Sequence, residues 1–177
     1  MFSRQTISVP EKLRAFVRDV WLLDPCREGD AHSGSLLSIY ADGCPGIIFQ
    51  QSENGLLLNQ NVRKTSLQGK ELSPVFLYGE TLAPIDMHSA GRLGMVAVSF
   101  HPYAMHCLFG FSARELTDDC LDISLLPAVQ GRLLRDRLWD TGSALERVSV
   151  LFDYLEQVVE KNRAGYLPNC SPGSSCQ

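Results

Sequence analysis

The chain has 177 residues and 19.6 kDa, which at about 150 residues per domain predicts one domain able to bury a sizeable core. Apolar residues make up 45% and charged residues 20%, ordinary globular usage that excludes a disordered segment. Sixteen basic against twenty acidic side chains leave a net charge of −4, which argues against a chain that holds nucleic-acid phosphates by itself.

Uncharged apolar stretches such as Gly94 to Phe100 fall far short of the ~20 residues needed to cross a bilayer. Arg4, Glu11, Lys12, Arg14, Arg18 and Asp19 interrupt any hydrophobic leader, so the expected location is the cytoplasm. The six cysteines form no Cys-x-x-Cys pair; Cys44, Cys107 and Cys120 read as buried, reduced thiols.

In chain order, Pro10 followed by Glu11 suits the start of a short helix. Val17 to Leu23 is apolar and rich in branched residues, hence a strand. Short apolar runs follow at Ser35–Tyr40, Gly46–Gln50, Leu56–Leu58, Pro74–Tyr78, Ile85–His88 and Met95–Phe100, punctuated by Gly, Pro, Asn and Asp. Evenly spaced short strands predict an antiparallel β-barrel or sandwich, since no helical stretches separate them as parallel crossovers require. The turn Asp42-Gly43-Cys44-Pro45 reads as fold-making, delivering Ile47, Ile48 and Phe49 into the barrel in fixed register.

After Phe100 the pattern becomes helical. Pro102 and Gly110 bracket one helix, and Ser112 with Glu115 forms a capping box. Ser124 is placed as the cap of a helix over about Leu125 to Leu138, with Pro127 in its first turn. Ser143 with Glu146 forms a second capping box. Behind it Leu145, Val148, Leu151, Phe152, Leu155, Val158 and Val159 recur at three- and four-residue steps, marking an amphipathic helix that Gly165 and Pro168 stop. Such a stripe either packs back over the barrel or meets its copy on a second chain, and the pattern leaves both open. The expected organisation is therefore a mixed fold, a cupin-like antiparallel β-barrel followed by C-terminal helices over residues 1–165, with a tail at 166–177.

Motifs for a nucleophile elbow, a P-loop, a zincin helix or a dinucleotide fold do not occur. His101, His106 and Cys107 offer zinc-type ligands, but a five-residue step puts the two histidines on different helix faces, which favours surface or capping roles. His88 reads as a rim residue at a strand end, and Asp118, Asp119 and Asp122 as a solvated loop. Binding is better supported than turnover, because small barrels hold ligands at their mouths. The candidate lining residues are Trp21, Tyr40, Phe49, Phe76, Tyr78, His88 and Phe100; core filling competes with that role for each. Tyr40 and Tyr78 stand out because a buried phenol needs a partner.

Three segments taken together resemble a known family: Ala41 to Phe49 (ADGCPGIIF), Gly94 to Pro102 (GMVAVSFHP) and Leu108 to Asp118 (LFGFSARELTD). With the Trp21 strand and Leu121-Asp122, they are similar to the N-terminal sensor domain of a branch of AraC-type transcriptional regulators, over about Pro10 to Val159. The resemblance implies a cupin-like barrel that senses a small effector or dimerises, with promoter binding left to a separate helix-turn-helix part that this chain lacks. Members of that branch often carry an acidic residue where Gly46 stands and a basic one where Ser99 stands, so this chain departs at both positions.

The resulting expectation is a cytoplasmic regulatory module, not an enzyme, without cofactor or metal. Its partners are an unknown small-molecule effector and a second copy of itself, with no membrane contact and no DNA binding by this chain alone. The homodimer interface falls on Leu145, Val148, Phe152, Leu155 and Val159. Rival readings are a metal-dependent cupin-like enzyme using His88, His101 or His106, and a stand-alone interaction protein that pairs with a full-length relative.

Overall fold

A computed structural model of the chain describes residues 3–24, 35–39, 43–52, 56–58, 72–82, 85–89, 93–126 and 130–165. Its strands are β1 (Ser3–Ile7), β2 (Val17–Asp24), β3 (Ser35–Ile39), β4 (Gly46–Ser52), β5 (Leu56–Leu58), β6 (Val75–Tyr78), β7 (Ile85–Ser89), β8 (Leu93–Phe100) and β9 (Cys120–Asp122). The helices are α1 (Ala104–Phe109), α2 (Gly131–Trp139) and α3 (Ala144–Gly165).

Among the described residues every pairing is antiparallel. Six strands form one sheet in the order β1-β2-β8-β4-β6-β9, and β3-β7-β5 form a second. The expected antiparallel sheet followed by helices is thus present, but the sheet does not close into a barrel. Among the described residues its two edges, β1 and β9, each pair on one side only, which is what closure would have removed. Sequence patterning missed both edges: β1 lies among polar residues, and β9 lies inside the acidic run read as a loop.

The pleat sends alternate side chains to opposite faces. One face carries Val20, Val98, Ile47 and Leu77 in one cross-strand row, and Leu22, Val96, Phe49 and Val75 in the next. This face is covered by α3, whose Val148, Leu151, Tyr154, Leu155, Val158 and Val159 are buried in the same core. The expected pairing stripe is therefore largely spent within the chain. Val148, Leu155 and Val159 are core residues, Phe152 is half-buried, and only Leu145, 61% exposed, remains outside. Asn162 on α3 donates through Nδ2 to the carbonyls of Cys107 and Leu108 (2.8 and 3.0 Å), satisfying acceptors that the end of α1 leaves over.

The helix signals behave as their chemistry dictates. Gly110 ends α1 in the left-handed conformation at φ 82°, and both capping boxes form. The first opens a 3-10 turn, Ala113–Leu116; the second opens α3. Pro10 sits just before a 3-10 turn, Glu11–Leu13. The helix expected from Leu125 begins instead at Gly131. Ser124 lies inside a 3-10 turn capped by Asp122, and Gln130 takes a left-handed φ of 53°, so no continuous helix passes through. Pro127 lies outside the described residues.

Candidate functional site

Register sorts the aromatic candidates. Phe49 and Phe100 point to the helix-covered face and are essentially fully buried there. Trp21, Ala97, Ile48 and Phe76 form one cross-strand row on the opposite face. Tyr78, Gly46 and Ser99 form the row beside it, so Trp21, Phe76 and Tyr78 do share a face. Gln50, on that face and only 4% exposed, donates through Nε2 to the carbonyls of Leu72 and Ser73 (3.1 and 3.3 Å). His88 belongs to the smaller sheet and is exposed; Tyr40 lies outside the described residues.

The departure at Gly46 and Ser99 acquires a geometric meaning. The two are direct cross-strand partners, so an acid and a base at these positions would face each other. Here a Cβ on Gly46 would collide with the Val98 carbonyl and with the ring and hydroxyl of Tyr78. Tyr78 occupies the space that a side chain at position 46 would need.

Where the helix-covered face meets the α2–α3 corner lies a cleft of about 690 Å³. The sheet contributes Gln5, Leu22, Phe49, Gln51, Ser52 and Val96, and the corner contributes Trp139, Ser143, Leu145 and Arg147. Arg147 is half-buried. Its Nη2 donates to Gln51 Oε1 (2.6 Å) and to the Thr141 carbonyl (3.1 Å), and its guanidinium carbon lies 5.1 Å from the centre of the Phe49 ring. Those contacts tie the first turns of α3 to β4 and hold the planar cation in a set orientation. The Ser143 hydroxyl accepts from the Glu146 amide while Glu146 Oε2 accepts from the amides of Gly142 and Ser143, which fixes the corner itself. Among the described lining residues there is no Asp or Glu.

The sequence singled out neither Arg147 nor Gln51. The signal was present: Ala144, Arg147, Val148 and Leu151 share the spacing of the apolar stripe, and a cation in stripe phase beside a core calls for polar partners.

Other chemistry-bearing groups have local roles. His101 stacks on Tyr103 at 5.8 Å between ring centres and His106 is exposed. Tyr103 donates its hydroxyl to the Ala15 carbonyl. Cys107 is disulfide-bonded, which corrects its reading as a reduced thiol. Cys44 and Cys120 carry no disulfide, and Cys44 Sγ accepts from Arg18 Nη1 (2.6 Å). Burial, reinforced by the charge of Asp119, pushes the Cys120 thiol up to about 12. Asp118 accepts from the Leu82 amide, Asp119 from Cys120 and Asp122 from Ser124, each at 2.8 Å, so the acidic run serves as a set of turn caps. Among the described residues no three His, Cys, Asp or Glu side chains converge as metal ligands. No helix among them is long and apolar enough to cross a membrane.

The sequence model of a family described as a domain of unknown function, DUF6597, matches residues 5–122, two thirds of the chain. The chain belongs to this family. The matched DUF6597 region runs from within β1 to the last residue of β9, so it spans the whole six-stranded sheet and ends before α2 and α3. Nine of the cleft's fifteen described lining residues belong to that region and six to the α2–α3 corner beyond it. Comparisons with curated proteins and with solved structures find no match.

Proposed function

We propose that this DUF6597 chain is the regulatory module of an AraC-type transcriptional regulator, a cytoplasmic, non-enzymatic unit that answers a small effector and pairs with a second copy. DNA binding belongs, in this reading, to another part. The observation that carries it is the seating of α3. A 22-residue helix lies on the sheet by its apolar side, so the position of its first turns and the state of the sheet are mechanically linked. An effector that favours one arrangement of the α2–α3 corner, where α3 leaves the sheet, changes how paired chains and the DNA-binding units attached to them are held. Typical couplings of 1–3 kcal/mol alter effector and DNA affinities by about 5- to 150-fold. The resemblance of the Ala41–Phe49, Gly94–Pro102 and Leu108–Asp118 segments to AraC-type sensor domains supports the same reading. Pairing falls to side chains left outside the core, among which Leu133 and Trp139 of α2 are 55% and 51% exposed.

The test fuses the full chain, through its C-terminal end, to a DNA-binding unit that represses a reporter only as a pair. Repression that requires the fused chain supports the reading, and a monomeric fusion without repression refutes its pairing half. The unfused chain is expected to give no salt-dependent gel shift.

A further inference from the structure

The regulatory reading calls for a second copy, while most of the apolar stripe of α3 is spent on the chain's own core, so the pairing surface lies elsewhere. We propose that two copies pair through α2, antiparallel about Asp136, with Arg132 and Leu133 of each set against Trp139 and Asp140 of the other. The proposal deepens the pairing half of the regulatory reading and rests on it.

The pattern of exposure comes first. Gly131, Leu134 and Leu138 are the buried side of α2, which leaves Arg132, Leu133, Asp136, Trp139 and the capping residue Asp140 exposed. Steps of three and four residues put these five on one face, with Asp136 at its middle. Large apolar side chains stand on both sides of that middle, Leu133 toward one end and Trp139 toward the other. Trp139 also lines two clefts, one with Leu145 and one with Ser73, Pro74 and Asp140, so a side chain arriving from a second copy meets grooves and not a flat wall. A half-exposed tryptophan beside a groove is the usual kind of interface anchor.

Charge sets the orientation. Asp136 accepts from Arg135 Nε and Nη2 (3.1 and 2.9 Å), and Arg137 reaches Asp153 at 4.0 Å. Arg132, in the first turn, and the Asp140 carboxylate, at the other end, have no such partner among the described residues. Both also stand against the helix dipole, a cation at its positive end and an acid at its negative end. A second copy arriving antiparallel brings acid to cation at both ends and opposes the two dipoles. A parallel copy would set Arg132 on Arg132 and Asp140 on Asp140. The two Asp136 carboxylates meet near the axis, each already paired with its own Arg135. The two-fold makes every other contact twice. Because Trp139 and Leu145 flank the α2–α3 corner, whatever rearranges that corner alters the pairing surface.

The experiment is sedimentation of the full chain from about 1 to about 300 μM, where mass action reveals a reversible dimer. Arg132→Glu alone and Asp140→Arg alone are each expected to weaken pairing by about tenfold or more, since both turn two attractive contacts repulsive. Each places at its end of α2 the charge that the dipole prefers, so the fold holds, which an unchanged far-ultraviolet circular dichroism spectrum checks. Mixing the two single variants, or combining both changes in one chain, restores opposite charges across the interface and is expected to recover pairing to within about threefold. Single variants that pair like the unaltered chain, or a mixture that pairs no better than its components, overturn the α2 surface and leave pairing itself standing. A chain monomeric throughout the range refutes both. Charge-coded pairing with a silent reporter fusion refutes the regulatory reading alone.

Discussion

Leu155 tests whether the apolar stripe of α3 belongs to the chain's own core. It is completely buried, in one cluster with Val96, Val98, Phe49 and Leu22 of the sheet. Truncation to alanine removes three carbons' worth of packing and leaves a cavity that neighbours on a rigid sheet refill only in part, a loss of about 2–5 kcal/mol. For a chain of this length each kcal/mol moves the midpoint by about 2–4 °C, so Leu155→Ala should lower Tm by about 4–20 °C. Leu145→Ala, on the same helix but 61% exposed, should stay within about 0.5 kcal/mol. Thermal unfolding followed by circular dichroism at two protein concentrations about a hundredfold apart separates the alternatives. A core role gives a Leu155→Ala deficit that is the same at both concentrations. A pairing role gives a deficit that shrinks as concentration rises, because association stabilises by mass action. A loss below about 1 kcal/mol, or one that concentration restores, would refute the reasoning.

Gly46→Ala forces a methyl against the Val98 carbonyl and the Tyr78 ring and should cost about 1–3 kcal/mol, read as a lower urea midpoint. Ser143→Ala removes the acceptor for the Glu146 amide and should cost about 0.5–2 kcal/mol, with faster amide exchange in the first turn of α3. Stability should fall as pH rises from about 9 to about 12. Burial raises Cys120 from its ordinary 9.0 to about 12 and raises Tyr154 as well, so over this range the unfolded chain gives up protons that the folded chain keeps. Chemical denaturation across that range should show a shallower decline in Cys120→Ser.

The parts of the fold that were legible from sequence are those whose chemistry is local. Leu56–Leu58 and the β2 stretch announce themselves by branched apolar residues, and Gly110, Ser112 and Ser143 stand where helix ends require them. Less legible were features defined by what lies across the sheet. Alternation sends Ile48 and Phe49 to opposite faces of β4, but says neither how β4 lines up with β6 nor which face the helices cover. The register, with Ile48 opposite Phe76 and Ile47 opposite Leu77, decides the first, and the packing of α3 decides the second. The edge strands β1 and β9 carry few apolar residues, and single-sided pairing demands few. The cleft was invisible for the same reason: Gln51 and Arg147 are 96 residues apart, and nothing near either one names the other.

The seating of α3 limits what an effector can move. From Val148 onward the helix contributes a succession of buried side chains, Val148, Leu151, Tyr154, Leu155, Val158 and Val159. Lifting that stretch would strip several contacts worth about 2–5 kcal/mol each, far more than a coupling of 1–3 kcal/mol supplies. The first turn is different. Ala144 is half-buried, Leu145 and Glu146 are exposed, and Arg147 is tied to Gln51 and to the Thr141 carbonyl by polar bonds and not by apolar packing alone. Any rearrangement within reach of an effector is therefore confined to the α2–α3 corner, with the body of the helix as its fixed support. Hydrogen exchange measured with and without saturating ligand should accordingly change at residues 142–147 and stay the same at 151–159. Matching changes along the whole of α3 would mean that the helix leaves the sheet as a unit, and the energetic ordering argued from its buried stripe would be wrong.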